Sequence, residues 1–256
     1  MRLWVLLLTV ISVAAAADAP PLENTGKPIV VPFECDAQKL DDAGLTCSTA
    51  DPCHVYLELT GIDDTGTRLF LTGNLHTRIT TLSSIVLESS DLGRTWMEPV
   101  ERMPLTSLEG IQFIDFQRGW IAGENVQTIP RDPFLLITDD GGRSWRRQPI
   151  FEDEHAGSIE AFWFDTRDNG SLAIDSGLPA DRHELYETTN GGAEWTLRRK
   201  SSAAISLRGL RSRDEASGWS FHDDARNGTY RIEKQRADSP LPPIAFLIEV
   251  AVCRGE

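Results

Sequence analysis

Short runs of alternating apolar and polar residues recur along this chain, the two-residue period of half-buried strands. Clusters of Asp, Asn, Ser and Gly separate them. A representative run, "PFLLITDD", passes into "GGRSWRRQPI": β-favouring residues, a turn, then Trp. The turn itself recurs as "SSDLGRTW" (89–96), "TDDGGRSW" (138–145) and "TTNGGAEW" (188–195), with 49 residues from Asp91 to Asp140 and 50 from Asp140 to Asn190. Ser89, Thr138 and Thr188 open the three boxes. The Asp or Asn that follows is expected to accept hydrogen bonds from backbone N–H groups of the turn. Gly93, Gly142 and Gly192 are expected to take positive φ, and Trp96, Trp145 and Trp195 to offer apolar faces to a neighbouring unit.

A second pattern precedes each box. "IQFIDFQRGWIAG" pairs two apolar runs around a short turn ending in Gly119, and matching stretches carry Gly66, Gly170 and Gly218. The chain thus predicts four repeats of four strands, A to D, with box turns between C and D. In the fourth, "YRIEKQ" reads as C, Asp238 stands near the box position, and "IAFLIEVAV" reads as one D strand. Four-stranded units at this period predict an all-β fold, a β-propeller of four blades of four antiparallel strands, filling residues 55–253. The alternative is five blades using residues 18–54, where "KPIVVPFEC" is a candidate strand for an outer edge or an incomplete blade.

The boxes resemble the Asp-box, or bacterial neuraminidase, repeat, and the longer pattern resembles repeats of photosystem II assembly and stability factors and their uncharacterised bacterial relatives. The resemblance implies blade architecture and a largely structural role for the box residues. It does not imply one activity, because such boxes serve sialidases, other glycoside hydrolases, receptors and assembly factors alike. Closing such a ring brings Cys253 near the segment holding Cys35, Cys47 and Cys53. Cys253 is therefore expected to bond to Cys35 or Cys53, with the other two paired, a staple worth roughly 3–5 kcal/mol for so long a loop.

Residues 1–17 have the form of a secretory signal peptide: Arg2, an apolar stretch over 3–13, then small residues to Ala17. Its removal takes the net charge from −14 to −15 by loss of Arg2, and no other segment is expected to span a membrane. Export agrees with an even cysteine count and disulfides. So acidic a chain is a poor partner for nucleic acid. One basic exception, "LRRKSSAAISLRGLRSR" (197–213), reads as a solvated strand edge resisting aggregation. No cofactor or metal is expected: the cysteine spacings do not resemble a zinc ribbon, and the Asp pairs lack the spaced oxygen ligands of calcium loops.

Candidate chemistry gathers in the B–C loops, at the end opposite the boxes. They supply Arg78, Arg131, Arg182 and Arg226, with His76, His183 and His222; Glu152, Asp153, Glu154 and His155 come from a D–A loop, and His54 from the same side. An arginine collar suits carboxylate or sulfate, although ordinary polar loops in an Arg-rich chain look the same. The leading expectation is a secreted or periplasmic, non-catalytic propeller binding another envelope or secreted protein. Alternatives are a carbohydrate-binding module, with an anionic glycan as ligand, and a sialidase-like hydrolase, for which Tyr186 beside Glu184 and Glu187 is the tempting nucleophile pair.

Overall fold

A computed structural model describes residues 20–126, 130–178, 180–207, 218–235 and 243–255. The expected signal segment, the first strand of the fourth repeat and Asp238 lie outside these residues. The elements in chain order are β1 (Leu22–Glu23), α1 (Ala37–Asp42), β2 (Cys53–Asp64), β3 (Leu69–His76), β4 (Thr81–Ser89), β5 (Thr95–Trp96), β6 (Thr106–Phe113), β7 (Gly119–Val126), β8 (Pro130–Thr138), β9 (Arg146–Pro149), β10 (Ser158–Phe164), β11 (Gly170–Asp175), β12 (His183–Thr188), β13 (Thr196–Ser201), β14 (Trp219–Asp224), β15 (Thr229–Lys234), β16 (Ile244–Leu247) and β17 (Glu249–Cys253).

The fold is all-β, with consecutive strands pairing antiparallel. The second sheet is β6-β7-β8-β9 and the third β10-β11-β12-β13, as the alternation predicts. The first is β17-β2-β3-β4, and the described part of the fourth is β14-β15-β16. In the first three sheets the leading strand carries a bulge at the same place, between Leu59 and Gly61, Leu108 and Gly110, and Ile159 and Ala161. Such bulges twist the strand and re-aim the extra residue, here Thr60, Glu109 and Glu160.

Two joints between sheets repeat one design. Leu108 N–H donates to Asn74 Oδ1 (2.8 Å) and Phe113 N–H to Asp63 Oδ2 (2.7 Å), joining sheets one and two. Ile159 N–H donates to Glu124 Oε2 (2.7 Å) and Phe164 N–H to Gln112 Oε1 (2.8 Å), joining sheets two and three. All four acceptors are buried. They satisfy strand-edge amides that would otherwise be stranded away from water. Aromatic pairs follow the same rule: Phe70 meets Phe113, with centroids 4.9 Å apart, and Trp120 stacks on Phe164 at 3.7 Å. The Phe113 and Phe164 rings lie over Gly119 and Gly170, where a Cβ would collide with them.

The fourth and first sheets meet differently. The run over residues 244–252 is not one strand: it breaks at Ile248, whose N–H donates to Gly228 O (2.9 Å), and β17 crosses to pair with β2. The expected D strand of the first repeat is also broken. β5 is two residues long and pairs with β1, while Met97 and Pro104 bridge separately to the outer side of β4. Pro99 and Pro104 lack the N–H a continuous outer strand requires. The N-terminal segment covers outer edges: β1 pairs with β5 in a separate two-stranded sheet, and Ile29 bridges to Phe246 of β16. It also holds the short helix α1, which the polarity pattern did not predict and which Asp36 caps by accepting from Gln38 and Lys39 N–H. Trp96 packs edge-on against Phe246 at 5.4 Å. The disulfides are Cys35–Cys253 and Cys47–Cys53. No helix among the described residues is long and apolar enough to cross a membrane.

Candidate functional site

The box end of the molecule is chemically self-contained. Asp91 Oδ1 accepts from Arg94 and Thr95 N–H (3.0 and 2.8 Å), and Ser89 Oγ both donates to Asp91 (2.9 Å) and accepts from Gly93 N–H (2.8 Å). Asp140 and Thr138 do the same around Gly142 and Ser144, and Asn190 and Thr188 around Gly192 and Glu194. The three glycines have positive φ, between 83° and 90°. Burial alone would raise the Asp91 and Asp140 carboxyls, but hydrogen bonds from turn backbone and hydroxyl groups outweigh it and hold both below the usual range. Arg68 reaches Gly141 O (2.5 Å) and Arg118 reaches Gly191 O (3.1 Å), so each second or third box is gripped by the preceding sheet. Trp96 and Trp145 pack against aromatics of a neighbouring sheet, Phe246 and Phe70, while Trp195 meets Phe164 of its own sheet.

At the opposite end the candidate residues do not form one cluster. Arg78 and Arg226 are exposed, in the β3–β4 connection and the β14–β15 turn. Arg182 is held by Asp175, whose carboxyl this contact keeps low. Arg131 lies within β8, not in a loop, and reaches Glu154 (2.5 Å) and Asp132 (3.4 Å). His222 likewise lies within β14, where polar side chains face solvent and mimic a loop in sequence. His183 Nδ1 meets Glu160, the bulge residue, at 2.8 Å, and His76 Nδ1 meets Thr77 O at 2.8 Å. His54 meets Glu249 (2.7 Å) and its ring lies 6.3 Å from that of Tyr56. Glu152 and Asp153 are exposed. Among the described residues no three His, Cys, Asp or Glu side chains are placed to hold a metal ion.

Tyr186 does meet Glu184: its hydroxyl donates at 2.7 Å. Both are buried, burial and the Glu184 charge push the phenol upward, and Lys200 neutralises Glu184 at 2.6 Å. A nucleophilic phenol needs the reverse shift and access to substrate, so this pair is a packed polar network. His155 stacks on Phe151 beside it, 3.7 Å from Glu184, and burial lowers its titration. Sequence reasoning missed another buried acid, Glu124. Burial, together with the charge of Glu109, pushes it up to about 7 against the pull of bonds from Ser158 and Ile159. It gave a signal in hindsight: Asn74 and Glu124 are 50 residues apart and Asp63 and Gln112 are 49 apart, the spacing of the boxes.

No family model matches the chain. Over 67 residues, 25% of the chain, it is 31% identical to the oligoxyloglucan-reducing end-specific xyloglucanase of Emericella nidulans, and it spans only 8% of that enzyme's length. A solved structure, YCF48 bound to D1 peptide, is 17% identical with a TM-score of 0.44, covering 70% of this chain and 52% of that one.

Proposed function

We propose that the chain is an exported β-propeller, its four sheets the blades and its boxes Asp-box turns, that binds another extracytoplasmic protein without catalysis. The docking face is the end carrying the B–C loops. The observation supporting it is the composition of that end: Ile79 is 80% exposed beside Arg78, and Leu178 is 54% exposed near Arg182. Exposed apolar side chains mark interaction surfaces and arginine is enriched among binding hot spots, whereas the Tyr186–Glu184 pair is buried. The test is chemical cross-linking and capture from the host's envelope with residues 18–256, alongside Arg78→Ala with Ile79→Ser. A defined protein captured by the wild type and lost in the variant is the expected result. Equal capture by both would overturn the assignment of the face.

A second reading, a glycan-binding module, draws on the short likeness to a xyloglucanase. Calorimetric titration with xyloglucan oligosaccharides and sialosides tests it; saturable binding there, with no protein captured, would replace the first reading.

A further inference from the structure

A strand edge is a row of unpaired backbone donors and acceptors that natural sheets cover or guard. Most described edges follow that rule; of those with no partner strand on one side among the described residues, β14 carries Asp223 and Asp224, and β17 only Glu249. β9 carries Arg146, Arg147 and Pro149, and β13 carries Arg198, Arg199 and Lys200. β16 is bridged by Ile29, and the outer side of β4 by Met97 and Pro104. The leading strands β6 and β10 donate edge amides to side chains of the preceding sheet.

β17 is different. It is an end strand of its sheet, beside β2 and opposite β4, and its sequence, EVAVC, holds no Lys, Arg or Pro. Among the described residues no strand or isolated bridge pairs with its free side. A cavity of about 570 Å³ lies against it, lined by Tyr56, Leu247, Val250 and Val252 together with Asn227. The strand is also fixed in place: Cys253 is bonded to Cys35, and Cys53, its partner in register, to Cys47. An edge held this way loses little freedom when a ligand docks.

Resting on the reading of the chain as a protein-binding scaffold, the geometry points to β17 as the docking edge for an extended segment of the partner protein, which adds a strand beside it. An extended backbone is the occupant whose N–H and C=O groups complement this row. The apolar lining selects apolar residues at alternate positions of the segment. Glu249, with 47% of its side chain exposed and His54 at 2.7 Å, and the acidic balance of the chain, −15 without residues 1–17, favour Lys or Arg between them. The same charge opposes a second copy of this chain as occupant.

The test is an octapeptide array probed with residues 18–256 as wild type, Val252→Lys, Glu249→Lys, and the box variant Asp140→Asn, each checked for native near-UV circular dichroism. The wild type is expected to retain peptides alternating β-branched and cationic residues. Val252→Lys, or N-methylation of alternate peptide amides, is expected to weaken binding at least about ten-fold, Asp140→Asn to leave it unchanged, and Glu249→Lys to shift selection towards acidic residues. Undiminished binding of N-methylated peptides, or by Val252→Lys, would overturn the proposal. Loss in Asp140→Asn with Val252→Lys unaffected would overturn it and leave the protein-binding reading standing. Retention of no peptide would overturn it too, while capture of an envelope protein judges the broader reading separately.

Discussion

The joints between sheets one, two and three and the seam between sheets four and one solve the same problem by different means. At the regular joints, buried polar side chains accept from the edge amides of the next sheet, an aromatic pair packs across the joint, and an arginine grips the next box. At the seam the chain crosses from one sheet to the other, the N-terminal segment covers β5 and β16, and a disulfide ties Cys35 to Cys253. The difference teaches that repetition supplies its own polar stitching, and that where repetition stops, covalent and apolar cross-links take over.

The seam is expected to be the more sensitive of the two. Replacing Cys35 and Cys253 by Ser frees a loop of 218 residues. Loop-closure entropy sets the expected loss at about 5 kcal/mol, against about 2 kcal/mol for the Cys47–Cys53 pair; urea unfolding of the two double variants checks the ranking. Next comes Gln112→Leu, which strands the N–H and C=O of Phe164 at the joint between sheets two and three. A loss of about 2–4 kcal/mol is expected in the same assay.

Glu124 sharpens the comparison through pH. Its folded carboxyl is raised to about 7 from 4.5, so the folded state holds a proton that the unfolded chain releases between those values. The stabilisation by that proton is fully present below pH 4.5 and is lost as pH rises through 7. Glu124→Gln removes the charge, and the amide oxygen can still accept from Ile159. The variant is expected to gain up to about 3 kcal/mol over wild type at pH 8 and nothing at pH 4, read from urea midpoints at both pH values. The smallest effect belongs to the boxes. Asp140→Asn reproduces the third box, where Asn190 already does this work, and should cost about 1 kcal/mol or less at pH 7. Asp140 has a lowered carboxyl, so its contribution is present above its unfolded value and is lost as pH falls through the folded one. The variant's acid unfolding limb should therefore be shallower than that of the wild type.

What was legible in the sequence was local. The box turns close through bonds spanning five residues, and their Ser or Thr, Asp or Asn and Gly appear in fixed order. The joints were not legible because Asn74 and Glu124, or Asp63 and Gln112, do one job with different chemistry, which hides the repeat from any motif. The break at Ile248 was hidden for another reason: "IAFLIEVAV" holds no turn residue, and the break is held from outside the run, Ile248 N–H donating to Gly228 O and Ile248 O accepting from Leu57 N–H. Arg131 and His222 lie within strands and His76 and His183 at strand ends, yet all four read as loop residues because polar strand ends and loops share one composition. The candidate binding face was legible only as a set of residue types, and their partners, Glu154, Asp175 and Glu160, separate them into individual pairs.

Amide hydrogen exchange on the oxidised wild type and on the Cys35→Ser/Cys253→Ser variant tests the distinction between seam and joints most directly. Protection is expected to fall in β1, β16, β17 and the start of β2 while β6 to β12 keep theirs. A uniform loss across all sheets, or none at the seam, would contradict it.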